Sequence, residues 1–156
     1  MDLHEVVDAR GALVIAETSR QLPFAVERVF FISDVPEGEP RGIHAHRECH
    51  QFLICLRGSV KAMVDDGDRR EVVRLDRRSV GLYMPPLTWG TQYDYSPDAV
   101  LAVLASHPYD ADDYIHDYEE FLALAAPRSR VTALPVPGSD VAGRDSAGPT
   151  RTNGVA

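Results

Sequence analysis

The chain is poor in cysteine, in basic charge and in long apolar runs, and each shortage removes a class of protein. Two cysteines, Cys49 and Cys55, cannot form a disulfide framework. On one extended strand their Cα atoms would stand about 20 Å apart, far beyond disulfide reach, so both read as reduced thiols. Asp and Glu (24) outnumber Lys and Arg (16), for a net charge of −8. That balance argues against a nucleic-acid partner. No apolar run is long enough to cross a bilayer, so no membrane partner is expected. The opening MDLHEVVDARG is acidic where a secretory signal would be basic and then apolar, which reads as cytoplasmic. What remains is ordinary for one globular domain, with 44% hydrophobic residues to build a core.

Short β-prone segments recur between turn signals. Residues 6–7 and 13–16 flank a turn, and 26–32 is rich in β-branched and aromatic residues. A Pro- and Gly-rich loop fills 34–40. Strands are expected over 44–46, 51–56, 59–64, 70–75, 79–84, 89–95 and 100–106, with Asp65-Asp66-Gly67-Asp68 as a hairpin turn. This spacing predicts an all-β sandwich or barrel. After Ser106 the period changes. Tyr114, Ile115, Tyr118, Phe121, Leu122 and Ala125 recur at helical spacing behind a cap at Asp110 or Asp112, and Pro127 stops the helix. Its tyrosines read as packing rather than catalysis. The folded domain is expected over 1–126, and 127–156 is expected to be a disordered tail, too poor in apolar residues to order itself.

The stretch GEPRGIHAHRECHQFLICLRG, residues 38–58, carries the chemistry. A glycine, a His-x-His and a second glycine at these spacings form the first half-motif of a cupin barrel. Alternate strand residues share a face, so His44 and His46 point together. Gln51 stands where the pattern wants a glutamate. In the second half-motif, aligning Pro85 puts Gly90 at the last histidine. Two imidazoles and an amide would hold a metal weakly, so no metal is expected. The histidines then suit proton transfer, with a limb in the pH–rate profile near 6 to 7. Tyr83, Trp89, Tyr93 and Tyr95 are candidate rings for the cavity, and Arg41, Gln51 and Thr91 candidate polar groups. Trp89, Thr91, Tyr93 and Tyr95 share one strand parity, so all four are expected to line it together. Arg41 suits a phosphate, or is simply a solvated arginine.

The runs PRGIHAHRECHQFLICLRGSVKAMVDDG, SVGLYMPPLTWGTQY and DAVLAVLASHPYDADDYIHDYEEF, with DARGALVIAE and PFAVERVFFI before them, resemble the nucleotide-sugar 3,4-ketoisomerases, the WxcM-like cupins. The likeness covers roughly residues 5–125. It implies a jelly-roll cupin barrel, similar to that of the sugar 3,5-epimerases, with a helix packed outside. It implies a metal-independent enzyme with no cofactor that moves the keto group of a dTDP-4-keto-6-deoxyhexose from C4 to C3. His44 and His46 would be catalytic, and the protein a homodimer exchanging N-terminal strands. Two departures stand out. Gly90 replaces a histidine that many relatives carry, and Phe30-Phe31 stands where relatives often show tyrosine. The alternatives are an epimerase-like cupin on a similar nucleotide sugar, a non-catalytic sugar-binding cupin, and a metal dioxygenase.

Overall fold

A computed structural model describes residues 1–125; the tail expected at 127–156 lies outside the described residues. Eleven strands are present among them: β1 (His4–Asp8), β2 (Gly11–Ile15), β3 (Arg28–Ser33), β4 (Arg41–His46), β5 (Gln51–Arg57), β6 (Val60–Asp65), β7 (Arg70–Leu75), β8 (Gly81–Met84), β9 (Trp89–Tyr93), β10 (Val100–Ala105) and β11 (Tyr114–Ile115). Two helices accompany them, α1 (Thr18–Gln21) and α2 (Tyr118–Ala125). The strands form two antiparallel sheets, ordered β3-β10-β5-β8 and β11-β4-β9-β6-β7, and a separate β1-β2 hairpin.

Both faces of both sheets are used. Leu53, Cys55, Leu101 and Val103 from one sheet meet Val60 and Leu75 from the other in the core between them. Outside the first sheet, Phe52 and Ile54 are covered by Leu3, Leu22 and Phe24 of the N-terminal segment. Outside the second, Ala45, Trp89 and Ile115 are covered by Phe121 and Tyr118 of α2. Strands with apolar residues on both sides explain the near-continuous run at 52–56.

The expected C-terminal helix begins later than its spacing implies. Asp110 does act as a cap, its carboxylate accepting the Asp112 N–H at 3.0 Å, but it caps a single 3-10 turn, Ala111–Asp113. Tyr114 and Ile115 then pair with His46 and Ala45 as β11. Apolar residues three and four apart suit a helix, yet an available sheet edge won here.

One irregularity sets the face of β4. Arg41 pairs with Gln92, Gly42 with Thr91 and His44 with Gly90, leaving Ile43 as an extra residue in a bulge. Ile43 takes φ 57° and Gly42 φ 84°. A Cβ on Gly42 would lie 2.7 Å from Gln92 Oε1 and 3.1 Å from the Gly90 carbonyl oxygen. Gly42→Ala should therefore cost on the order of 1–2 kcal/mol from left-handed backbone strain alone, read as a lower urea midpoint. An unchanged midpoint would show that the bulge relaxes freely.

Candidate active site

Between the sheets, at the end where β4 carries its histidines, lies a cavity of ≈ 330 Å³. Arg41, His44, His46, Gln51, Gly90 and Gln92 line its polar side, and Phe30, Leu53, Met84 and Val103 its apolar side. The bulge is responsible for the first group. Arg41 and His44 are three residues apart and would face opposite ways on a regular strand. With Ile43 inserted, Arg41, His44 and His46 all face inward.

The two histidines are held differently. His44 Nδ1–H donates to the Gly42 carbonyl at 2.8 Å, which leaves Nε2 as the unprotonated nitrogen. Burial pushes its pKa down to about 4, aided by the neighbouring His46 and His116 and opposed by the Gly42 bond. At neutral pH it is thus an uncharged base. His46 Nδ1–H donates to Asp113 Oδ2 at 2.7 Å, and the Gln51 amide donates to its Nε2 at 3.0 Å. Burial also lowers the His46 pKa, with Asp113 pulling the other way. Burial opposes ionisation of Asp113, but the Glu48 N–H at 2.7 Å and His46 outweigh it and hold its carboxyl below the usual range. His46, Cys49 and Asp113 bring a nitrogen, a sulfur and an oxygen within 4.8 Å of one another. Both Asp113 oxygens are already engaged by hydrogen bonds, so the group reads as a scaffold for His46.

Three groups escape the sequence reading. Asp113, Tyr114 and His116 arrive on β11 and its flanks, where the spacing predicts helix. The Tyr114 ring lies 4.4 Å from His46 and 4.8 Å from His44, and the His116 ring lies 5.8 Å from His44. The alternation Tyr114-Ile115-His116, with only Ile115 fully buried, is the available signal. Arg28 is a fourth. Its guanidinium sits over Phe30 and Tyr109, with Nε buried and unpartnered.

Other expected cavity residues lie elsewhere. Gln92 pairs with the buried, core-facing Ala62, so on β9 only Gly90 and Gln92 face inward. Trp89, Thr91 and Tyr93 take the opposite face. Trp89 packs on Tyr118 and Phe121 under α2, Thr91 pairs with Met63, and Lys61 lies over the Tyr93 ring. Parity is right that Trp89, Thr91 and Tyr93 travel together, wrong about Tyr95, and silent about which side is inside. Tyr83 is also on an outer face, its hydroxyl 2.7 Å from His50 Nδ1 and its ring stacked near Phe24. Tyr95 turns inward because Asp94 takes φ 51° and breaks the alternation. It packs on the inner core, its hydroxyl is unpartnered, and burial pushes its pKa up to about 12. A Cβ at Gly90 would lie 2.5 Å from Met84 Cε, so methionine fills the space a larger residue would need.

An antiparallel double sheet with an inward-facing His-x-His defines a cupin-type fold. The chain belongs to the family described as FdtA: WxcM-like, C-terminal, whose model matches residues 1–126. It is 42% identical over 121 residues to a TDP-4-oxo-6-deoxy-alpha-D-glucose-3,4-oxoisomerase of Aneurinibacillus thermoaerophilus, spanning 78% of this chain and 87% of that one. A mutant of QdtA, a 3,4-ketoisomerase of Thermoanaerobacterium thermosaccharolyticum, has been solved in complex with TDP-4-keto-6-deoxyglucose. It is similar with a TM-score of 0.76 and 38% identity, over 80% of this chain and 90% of that one. NovW, a 4-keto-6-deoxy sugar epimerase of Streptomyces spheroides, shares the fold at 23% identity and a TM-score of 0.64, over 72% and 65% of the two chains.

The lowered His44 pKa replaces the limb expected from the sequence at pH 6 to 7. A base works when unprotonated, so on acidification kcat/KM should hold through that range and fall only as pH approaches about 4. Asp113→Asn, which removes the charge and leaves one oxygen for both the His46 and Glu48 N–H groups, should lower the plateau and move this limb, if at all, to lower pH. Activity lost on acidification already through pH 6 to 7 would show that His44 is not the base.

Proposed function

We propose that this chain catalyses the 3,4-ketoisomerisation of a dTDP-4-keto-6-deoxyhexose, in the making of deoxyamino sugars. The observation that supports it most is His44: an uncharged, half-buried imidazole with its Nε2 free, on the wall of the cavity between the sheets. The C4 ketone acidifies the proton on C3. His44 removes it, and the electron pair forms the C3=C4 bond of an enediolate, with negative charge on the C4 oxygen. His46, fixed by Asp113, exchanges its Gln51 bond for a sugar hydroxyl and carries the proton from the C3 oxygen to the C4 oxygen. A proton returned to C4 completes the 3-keto product. One C–H bond breaks, one forms, and no electron leaves the sugar. Arg41 and Arg28 supply positive charge for the diphosphate, and Gln51 and Gln92 supply hydrogen bonds to the sugar. No metal or cofactor enters these steps.

An epimerase would leave the ketone in place. The relatives named as ketoisomerases share far more sequence with this chain than the named epimerase does, and they favour isomerisation. Solvent-exposed apolar side chains support a homodimer exchanging N-terminal strands. Val7 (71% exposed) and Leu13 (58%) lie on the β1-β2 hairpin, and Phe31 (64%) on edge strand β3. A monomeric mass by light scattering would overturn this. No helix of the described residues is long and apolar enough to cross a membrane, which fits a cytoplasmic enzyme.

Incubation with dTDP-4-keto-6-deoxyglucose in D2O, followed by NMR, should show the ketone at C3 and deuterium at C4, with turnover insensitive to chelator. His44→Asn and His46→Asn should each lower kcat by at least about 10²-fold while the protein stays folded. Binding without exchange would favour a non-catalytic cupin, and chelator-sensitive turnover a metal enzyme.

A further inference from the structure

The reaction needs a group to return a proton to C4, and Gly90 offers no side chain for it. We infer that His116 is that proton donor, an assignment that rests on the ketoisomerase reading. Three observations converge on it.

The first is placement. β11 pairs Tyr114 with His46 and Ile115 with Ala45. Ile115 and Ala45 are both fully buried and point out under α2. Tyr114 and His116 therefore continue the cavity side of the sheet beyond β4. The His116 ring stands 5.8 Å from His44, edge on.

The second is support. His116 stacks on Tyr114 at 5.7 Å with an interplanar angle of 16°, and Tyr114 itself packs against both His44 and His46. An imidazole at the chain's exit from a strand would otherwise swing freely, and the stack holds it beside His44.

The third is access. His46 is buried with both ring nitrogens engaged, and His44 is half-buried. His116 is exposed and can take a proton from water between turnovers. The pair thus divides the work. His44 takes the proton from C3, and imidazolium at His116 gives one to C4 as His46 carries the proton of the C3 oxygen to the C4 oxygen. The C=C electron pair becomes the new C4–H bond, and the O–H pair becomes the C3=O bond. The cycle ends with His44 protonated and His116 neutral. It resets by one proton passing between the two rings or through water.

His116→Gln and His116→Phe test this in the full-length protein, the second keeping a ring to stack on Tyr114. Each should keep the parent's KM within about threefold and lose on the order of 10²-fold in kcat. In D2O both should still exchange the substrate's C3 proton at near the parent's rate, because His44 is untouched. Near-parent kcat in His116→Phe would reduce the residue to a stacking role and overturn the inference. So would loss of C3 exchange along with turnover. A parent that fails to isomerise the substrate overturns the function itself, a result distinct from an active parent with unimpaired variants.

Discussion

Everything chemical in this molecule depends on one extra residue in β4. The backbone at Ile43 leaves the regular ladder, and the consequence is a change of phase. Before the bulge, Arg41 faces inward; after it, His44 and His46 do. A regular strand would have had to choose between the cation and the imidazoles. The same kink turns the Gly42 carbonyl toward His44 Nδ1, so the feature that aims His44 also selects its tautomer. Glycine at 42 is required by its φ and by the approach of Gln92 and Gly90, while Ile43, β-branched and strained at φ 57°, is held there by the ladder on either side of the bulge.

Burial then separates two residues of identical chemistry. Both histidines lose hydration, which favours their neutral forms. His44 has the Gly42 carbonyl and only the more remote charge of Asp113 to compensate, so it holds a proton weakly and keeps Nε2 open. His46 has a carboxylate that backbone N–H groups keep ionised, so it is oriented firmly and tolerates charge better. Environments that push apart the properties of paired groups are the usual mark of divided acid–base labour.

Much of this is legible in the sequence, and the limits come from the kind of information each signal carries. Strands with two-residue periods, the Asp65-to-Asp68 turn and the spacing of His44, His46 and Gln51 are local, and the structure contains all of them. Parity groups residues by face but says nothing about which face is enclosed. Trp89, Thr91 and Tyr93 are therefore grouped properly by the sequence and placed on the wrong side. Gln92, which does face the cavity, looks like the solvent side of the same strand. Breaks in alternation at Ile43 and Asp94 depend on non-glycine residues adopting positive φ, a choice made by tertiary contacts. The two-residue strand β11 is least visible, since Tyr114 and Ile115 fit a helical stripe equally well until the β4 edge is in place.

The placement of β11 matters because of how the cavity wall is held. This strand has only two residues with which to grip β4, too few to fix an edge by main-chain bonds alone. Ile115 is instead pinned from behind, in a cluster with Ala45, Trp89 and Phe121, and α2 closes over it. Trp89, with 5% of its surface exposed, stacks against Tyr118 and Phe121, and Tyr118 donates to Asp65 at 2.7 Å, tying the helix to the far end of β6. The aromatic residues that resemble a ligand box thus form the rear support of one. They work through the sheet: their packing sets where β11 lies, and β11 decides where Asp113, Tyr114 and His116 meet the histidines of β4. A helix outside the barrel becomes part of the catalytic architecture without touching the cavity.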